Sequence, residues 1–487
     1  YLDIAEEFGT MDDLKQLIEE ADKRNIKIIL DLVLNHTSDE HPWFQEALHN
    51  PESAYRDYYI FRQGKEVPNN WRSVFGGSVW EKVDGRDEYY FHSFGKKQPD
   101  LNWENPELRQ ALYKMVNTWC EMGISGFRID AITFIKKDLS FASQESDGAD
   151  GLVKCTKTVR NQPGIEEFLE ELKEETFKKY DCMTVAEAAG IRYDQLEEFI
   201  GEDGFFSMVF DFKYADLDIA SGSEWFKRIP WTVSDLRKLI MESQLNVQKY
   251  GWAANFIENH DQPRSVSRFG NDSDEYREIS AKMLATCIHM MQGTPYVYQG
   301  EELGMTNCPF NTLDNFRDLE SINAFHELTE QGKMTEEDMM AAIGYKGRDN
   351  ARTPMQWDDS AYAGFSTANP WIMVNPNYTK INAKDQVNRE DSVFKYYQKL
   401  IKLRHESELI VYGTYDLILD DDKDIYAYIR TLGDKKLIVY CNFSENTREV
   451  ELPEEFTNGK VLISNYIDAK VNHKITLRPY EAIVIQK

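Results

Sequence analysis

The sequence predicts an α/β protein built on a (β/α)8 barrel, the TIM-barrel class of fold. Three short apolar runs each end in a carboxylate, at Asp130, Glu187 and Asp261. Such runs are typical of buried parallel strands, and a barrel carries its chemistry at the carboxyl ends of its strands. We therefore expect the three acids to converge at one mouth. Converging carboxylates repel one another, which favours a protonated form for at least one of them and suits general acid catalysis.

Strands and helices alternate through most of the chain. Short apolar runs predict six strands, over residues 26–36, 126–130, 183–187, 207–212, 255–261 and 294–304. Apolar residues at helical spacing predict the intervening helices, over residues 10–23, 106–122, 164–179, 233–250 and 275–292. This alternation implies a right-handed parallel sheet with helices outside it.

Two of the eight strands that such a barrel needs are absent from this set. The chain opens at Tyr1 with the loop and helix that would precede a third strand. Six strands left open would expose two hydrogen-bonding edges and an apolar interior, which is an aggregation hazard. We therefore expect the first two strands to lie in further residues upstream of Tyr1.

Three other segments accompany the acid-bearing runs: DLVLNHTS at 31–38, QPDLN at 98–102 and GRDNARTPMQW at 347–357. In this order and spacing the set is highly specific. It resembles glycoside hydrolase family 13, the α-amylase family, and within it the oligo-1,6-glucosidase and α-glucosidase branch, over essentially the whole chain. The resemblance implies a barrel that is interrupted by a small inserted domain and followed by a β-sandwich.

The domain limits follow from this comparison and from the composition of the connections. Residues 1–36 and 99–406 are assigned to the catalytic barrel, called domain A. The aromatic-rich segment 37–98 is assigned to the inserted domain B, because long structured excursions from a barrel commonly build substrate sites. A second excursion, 134–162, is rich in charge, Gly and Ser, and we expect it at the rim of the pocket.

The carboxyl-terminal region changes character after residue 406. Short runs over residues 415–419, 425–430, 436–442 and 482–486 are separated by turn dipeptides and predict antiparallel strands. Residues 407–487 are therefore assigned to a small antiparallel β-sandwich, domain C, with a structural role.

Catalytic roles are carried over from the resemblance, which implies that Asp130 is the nucleophile, Glu187 the general acid and base, and Asp261 the ligand of the sugar's 2- and 3-hydroxyls. A retaining glycosidase needs one ionised carboxylate and one protonated partner, roughly 5 to 5.5 Å apart. Arg128 lies two residues before Asp130, so both side chains point to one face of the strand and the cation favours an ionised Asp130. The apolar sequence neighbours of Glu187 favour its protonated form.

Six further side chains are implied to contact the sugar, as hydrogen-bonding histidines, pocket arginines and aromatic walls. They are, in that order, His36 and His260, Arg348 and Arg352, and Phe75 and Phe94. Taken alone, such residues are more often structural histidines, solvated ion pairs and core aromatics. Their assignment therefore depends on the matched segments.

Linkage preference in this branch is associated with the residue after the nucleophile, Val for α-1,6 and Thr for α-1,4 linkages. The position is occupied here by Ala131, which matches neither. The smaller side chain leaves more room at the next subsite, so we expect both isomaltose- and maltose-type substrates to be accepted. A pocket closed by domain B favours exo action on a terminal non-reducing glucose.

Composition limits the classes of partner that the protein can bind and indicates its cellular compartment. The formal net charge of −28 argues against nucleic acid and anionic membrane partners and suits an uncharged sugar. No apolar run reaches the roughly 18 residues that span a bilayer. Six cysteines show no close pairing or metal spacing, which predicts reduced thiols in a cytoplasmic protein. Separately, we expect a monomer or weak homo-oligomer. The chemistry requires no cofactor and we assign no metal ligand, although the resemblance allows a structural Ca²⁺ or Mg²⁺ in an amino-terminal loop outside this sequence.

Three alternatives use the same barrel. A sucrose isomerase or transglucosylase would share the first chemical step and differ in what attacks the glucosyl intermediate. A trehalose-6-phosphate hydrolase would need a basic phosphate pocket, which this acidic sequence does not clearly contain. A non-catalytic relative, such as the ectodomain of an amino-acid transporter heavy chain, lacks the acids found here at Asp130 and Glu187 and normally carries a membrane span.

Overall fold

The computed structural model describes residues 1–148, 150–219 and 226–487. They belong to two structural units, Tyr1–Asp211 and Phe212–Lys487. No helix in these ranges is long and apolar enough to cross a membrane.

The described part of the first unit contains helices α1 to α6 and strands β1 to β9. The helices are α1 (Met11–Asp22), α2 (Pro42–His49), α3 (Pro106–Met122), α4 (Thr156–Val159), α5 (Ile165–Glu175) and α6 (Leu196–Ile200). The strands are β1 (Ile29–Val33), β2 (Phe61–Gln63), β3 (Trp71–Arg72), β4 (Trp80–Lys82), β5 (Glu88–Phe91), β6 (Gly126–Asp130), β7 (Val153–Lys154), β8 (Met183–Ala186) and β9 (Met208–Val209).

A parallel sheet of order β1-β6-β8-β9 lies at the centre of this unit. Phe127, Ile129 and Val185 are fully buried in it, as expected for strands covered on both faces. The register pairs Val33 with Asp130 and Ile129 with Ala186, so Asp130 and Glu187 lie at the carboxyl ends of neighbouring strands. The predicted alternation is confirmed here, although β1 and β9 are shorter than the apolar runs that predicted them.

Local sequence signals account for the helix ends in this unit. Thr10 and Asp13 form a reciprocal capping box at the start of α1. Asn105 accepts two backbone N–H bonds at the start of α3, with Pro106 in the first turn. Helix α3 ends at Gly123, whose φ of 107° lies in the left-handed region that favours glycine.

The inserted segment and the second excursion are joined by hydrogen bonds. Strands β2, β5 and β4 form an antiparallel sheet, while β3 pairs with β7 in parallel. Arg72 of β3 donates from Nε to Asp150 at 2.8 Å and from Nη1 to Asp147 at 2.9 Å. Trp71 and Phe141 also stack, with ring centroids 5.5 Å apart. The 134–162 excursion is therefore anchored on the inserted segment.

The described part of the second unit contains helices α7 to α15 and strands β10 to β18. The helices are α7 (Val233–Tyr250), α8 (Ser265–Arg268), α9 (Arg277–His289), α10 (Leu319–Glu330), α11 (Glu336–Lys346), α12 (Asp349–Arg352), α13 (Ala383–Asn388), α14 (Val393–Glu406) and α15 (Glu408–Tyr412). The strands are β10 (Ala254–Asn255), β11 (Thr294–Pro295), β12 (Thr414–Ile418), β13 (Ile425–Leu432), β14 (Lys435–Asn442), β15 (Arg448–Glu451), β16 (Lys460–Ser464), β17 (Lys474–Leu477) and β18 (Ala482–Gln486).

The second unit continues the alternation and then changes to antiparallel pairing. Strands β10 and β11 are parallel and only two residues long, shorter than the predicted runs 255–261 and 294–304. A five-stranded antiparallel sheet, β12-β13-β14-β18-β16, and the β15-β17 pair follow. Ile438, Val450 and Ile475 share one apolar core across the two sheets. Sequence patterns missed β15, β16 and β17, because these strands are short and only one or two of their residues are buried.

The contacts of Arg72 predict how the 134–162 excursion depends on a single side chain. In Arg72→Gln both charged contacts are lost, which leaves Asp150 without its arginine and Asp147 with only the exposed Lys157. We expect a loss of about 1–3 kcal/mol of local stability. Limited proteolysis should then cut within residues 142–152 several times faster than in the wild type.

Lys157→Gln is the matched control, because exposed Lys157 contacts the same Asp147 at 3.3 Å. This exposed pair should contribute little. Equal cleavage rates in the Arg72→Gln variant and the wild type would contradict the anchoring role.

Candidate active site

Asp130 and Glu187 share one guanidinium in the first unit. Arg128 Nη1 donates to Asp130 Oδ1 at 2.7 Å, and Nη2 makes a close ion pair with Glu187 Oε1. The backbone N–H of Glu187 donates to the carbonyl of Ile129 at 2.9 Å, which continues the strand pairing to the acid itself. Arg128 therefore brings the two carboxylates together at the carboxyl ends of neighbouring strands.

A third carboxylate, Asp31, completes the surroundings of Arg128. Asp31 lies opposite Arg128 in the β1-β6 register, and Arg128 Nη1 contacts its two oxygens at 2.9 and 3.1 Å. Burial disfavours the charged guanidinium, but Glu187, Asp31 and Asp130 outweigh it and raise the pKa of Arg128. Sequence reasoning gave Asp31 no role, since the signal is a strand register that only the fold supplies.

The surroundings of Glu187 differ from the sequence expectation. Its neighbours Val185 and Ala186 are fully buried, as their apolar character predicts. The carboxylate itself contacts Arg128, and the Ala131 N–H donates to its second oxygen at 3.4 Å. Chain neighbours did not predict this environment, because the side chain leaves the strand end towards groups on another strand.

Ala131 carries an unusual backbone conformation directly after Asp130. Its φ and ψ are 41° and 36°, in the left-handed region, and the residue is buried. A non-glycine residue in this region is uncommon and costs on the order of 1–2 kcal/mol. The turn directs the Ala131 N–H at Glu187.

His36 and the two predicted aromatic residues form a connected group. The His36 ring lies 5.4 Å from the Phe94 ring, and Phe94 meets Phe75 edge-on at 5.7 Å. His36 Nε2 and Gln98 Nε2 are 3.1 Å apart. Burial lowers the pKa of His36 despite the opposing charges of Asp100 and Asp130, so the imidazole is neutral.

Beneath His36 lies a buried ion pair that sequence reasoning did not identify. Lys137 Nζ is 2.9 Å from Asp100 Oδ2 and donates to Asn35 Oδ1 at 2.7 Å. Asp100 also accepts two hydrogen bonds from Ser93. Buried charges of this kind are satisfied by partners, and here they fix the strand ends around His36.

The second unit gathers three predicted residues, His260, Arg348 and Arg352, around Asp261. Arg348 and Arg352 contact Asp261 Oδ1 at 3.0 and 2.8 Å, and His260 Nε2 lies 3.3 Å from Oδ2. Burial alone would raise the pKa of Asp261, but the charges of Arg348, His260 and Arg352 hold it below its usual range. Asp261 is therefore ionised at neutral pH.

Arg348 has two more acidic partners, which sequence reasoning missed. It makes a close ion pair with Glu320 and lies 3.5 Å from Asp318 Oδ1. Asp318 is also the N-cap of α10, accepting from the Ser321 N–H at 3.0 Å. Its position before an apolar helical run signals the cap, whereas no sequence signal links either acid to Arg348.

These clusters can perform acid–base and nucleophilic chemistry with carboxyl groups. Within the described ranges no group of three or more His, Cys, Asp or Glu side chains is arranged to hold a metal ion. The first unit offers two carboxylates on one guanidinium, and the second offers an ionised carboxylate able to accept hydrogen bonds.

Comparisons with known proteins agree with this chemistry. Residues 1–413 match the family model described as alpha amylase, catalytic domain, and residues 425–484 match the alpha-amylase SusG C-terminal domain. The chain is 49% identical over 493 residues to an oligo-1,6-glucosidase of Parageobacillus thermoglucosidasius, covering 99% of this chain and 87% of that protein.

Two solved structures are similarly close. A trehalose-6-phosphate hydrolase of Bacillus licheniformis has a TM-score of 0.90 and 44% identity, with 99% of this chain and 87% of that chain covered. An isomaltulose synthase of Klebsiella sp. has a TM-score of 0.93 and 38% identity, with the same coverage of both chains.

Glu320 predicts a pH dependence of stability. Burial raises its pKa to about 7, although Arg348 opposes the shift. Its pKa in the unfolded chain is about 4.3, so the stabilisation is fully present below that pH and is lost as the pH rises through about 7. Glu320→Gln imitates the protonated form. The free energy of unfolding of the wild type, relative to this variant, should fall by up to about 3 kcal/mol between pH 4.5 and 8.

Chemical denaturation at a series of pH values measures this difference. Glu330→Gln, at the exposed end of the same helix, serves as the control and should show no such trend. A wild-type minus Glu320→Gln difference that stays constant with pH would show that folding does not raise the pKa of Glu320.

Proposed function

Because the chain belongs to the α-amylase family of glycoside hydrolases, we propose that it is a retaining α-glucosidase that releases terminal non-reducing glucose from short oligosaccharides of the isomaltose and maltose type. The family resemblance found in the sequence is confirmed by a catalytic-domain match over residues 1–413. The similarity to an oligo-1,6-glucosidase over nearly the whole chain supports this activity.

The observation that carries the proposal is the guanidinium shared by Asp130 and Glu187. Arg128 orients the Asp130 carboxylate for attack on the anomeric carbon. Glu187, protonated when substrate binds, donates its proton to the leaving oxygen as that attack breaks the glycosidic bond. The resulting glucosyl ester on Asp130 is hydrolysed by a water that Glu187 deprotonates, and the anomeric configuration is retained.

Binding roles follow the same resemblance and fit the charges observed in each unit. We assign Asp261, held ionised by Arg348 and Arg352, to the sugar's 2- and 3-hydroxyls. Neutral His36 suits hydrogen bonding to a further hydroxyl, since an uncharged imidazole both donates and accepts. This scheme uses only side chains and water, so we propose that it requires no cofactor.

The architecture and setting are proposed in the same way. We infer a closed eight-stranded barrel with domain A at 1–36 and 99–406, domain B at 37–98 and domain C at 407–487. All six cysteines are free thiols, which suits a reducing cytoplasm. We propose a monomer or weak homo-oligomer that binds neither nucleic acid nor membrane.

Removing the two acids should have distinguishable effects. Asp130→Asn should lose at least about a thousandfold of kcat on nitrophenyl α-glucoside and isomaltose alike, since both need the nucleophile. Glu187→Gln should lose much less kcat/KM on nitrophenyl α-glucoside, whose leaving group departs without a proton, than on isomaltose. Steady-state kinetics on both substrates measure this contrast.

Asp416→Asn, on an exposed position of β12, is the matched control and should retain wild-type rates. Full activity of Asp130→Asn would overturn the assignment of the nucleophile. Product analysis on sucrose separates the remaining candidates: isomerised sucrose or longer oligosaccharides, in place of free glucose, would identify an isomerase or transglucosylase.

Ala131 predicts broad linkage specificity. The kcat/KM values for isomaltose and maltose should lie within a factor of about 10⁴ of each other, because a small side chain excludes neither acceptor geometry. Ala131→Val should shift the ratio towards isomaltose, as the family association of Val implies. The substitution also places a β-branched side chain at positive φ. The melting temperature of the variant should therefore fall by a few degrees. A wild-type ratio above about 10⁴ would show that the breadth is wrong.

A further inference from the structure

A cavity of about 430 Å³ in the second unit lies apart from the Asp261 cluster. Its apolar walls come from the α10-α11 hairpin, including Leu328, Met334 and Ala342, with Tyr345 at one side. Small-molecule sites typically occupy roughly 300–1,000 Å³ and combine apolar walls with a few polar groups. The volume and lining of this cavity match that description.

The charges at the cavity are unusual for this chain. Among the described residues, Lys227, Arg228 and Lys333 line it together with one carboxylate, Asp338, although the chain as a whole carries a net charge of −28. Asp338 already accepts a hydrogen bond from its own helix cap, Thr335, at 2.8 Å. Cations around an apolar cavity favour an anionic ligand over an uncharged sugar.

Arg228 is held in place by an aromatic contact. Its guanidinium carbon lies 3.8 Å from the centre of the Tyr345 ring, a cation–π geometry. The backbone beside it is also fixed, because the Ile229 N–H donates to the Asp218 carbonyl at 2.9 Å. A cation positioned in advance loses less conformational entropy when it binds an anion.

Tyr345 connects the cavity with buried polar groups next to Asp261. Its hydroxyl donates to Asp218 Oδ2 at 3.1 Å, and Asp218 pairs with Arg268. Arg268 in turn donates to Gln262 Oε1 at 2.8 Å, and Gln262 directly follows Asp261 in the chain. The cavity wall is therefore continuous with the support of a substrate-binding carboxylate.

We propose that this cavity binds a small organic anion, a carboxylate or phosphate monoester with a compact apolar body, at a site separate from the glucoside site. The anionic group contacts Arg228 and Lys333, and the apolar body packs against Leu328, Met334 and Ala342. The site lies within the second unit and uses none of the residues assigned to catalysis.

Titration calorimetry on the full chain tests the proposal with 1-naphthyl phosphate, 1-naphthoate and neutral 1-naphthol. At least one anion should bind with a Kd below about 1 mM, and 1-naphthol about tenfold more weakly or not at all. Lys333→Gln and Arg228→Gln should each weaken anion binding about tenfold, the usual effect of losing one charge-assisted contact. Lys333→Arg should restore it.

Lys470→Gln removes an exposed lysine elsewhere in the same unit and is the matched control, with unchanged binding expected. Hydrolysis of isomaltose should be the same in Lys333→Gln as in the wild type, which separates this site from the catalytic one. If neither anion binds, if 1-naphthol binds as tightly, or if Lys333→Gln binds as the wild type does, the proposal is overturned. Because Lys333 is exposed, Lys333→Gln should leave the fold intact. Its result therefore decides the test even if Arg228→Gln destabilises the fold.

Discussion

The sharing of Arg128 among three carboxylates is the interaction on which the candidate site depends. Asp31 lies on β1, Asp130 ends β6 and Glu187 directly follows β8. Each of the three carboxylates contacts the Arg128 guanidinium. One guanidinium therefore holds all three carboxylates in place, including the two that we propose as nucleophile and general acid.

In the second unit, too, one arginine is shared among several carboxylates. Arg348 is shared among Asp261, Glu320 and Asp318, while Arg352 and His260 add positive charge on Asp261 alone. Asp261 is held ionised, whereas burial raises the pKa of Glu320 to about 7. Burial of Glu320 and the additional cations beside Asp261 thus separate the pKa values of two acids that titrate in a similar range in water.

Charge distribution also separates the proposed catalytic chemistry from the proposed anion site. In a chain with a net charge of −28, most buried arginines are committed to carboxylates or to backbone carbonyls. Arg228 stacks on a tyrosine ring, in a cavity where cations outnumber carboxylates. Such a local reversal of charge is visible only after folding, because its members come from a loop and two helices.

Sequence alone determined the class of fold and indicated the residues that we propose carry the chemistry. Strand-terminal Asp130 and Glu187, helix α3, and Asp261 with its three neighbours His260, Arg348 and Arg352 were predicted because hydrophobic periodicity, capping residues and motif spacing are local properties of a chain. The tertiary structure decided which groups meet. Asp31 faces Arg128 through strand register, Glu320 reaches Arg348 from a separate helix, and Val153 pairs with Trp71 across 82 positions. These contacts depend on packing between distant segments, and no local pattern encodes the distance between two atoms that the chain brings together only when it folds.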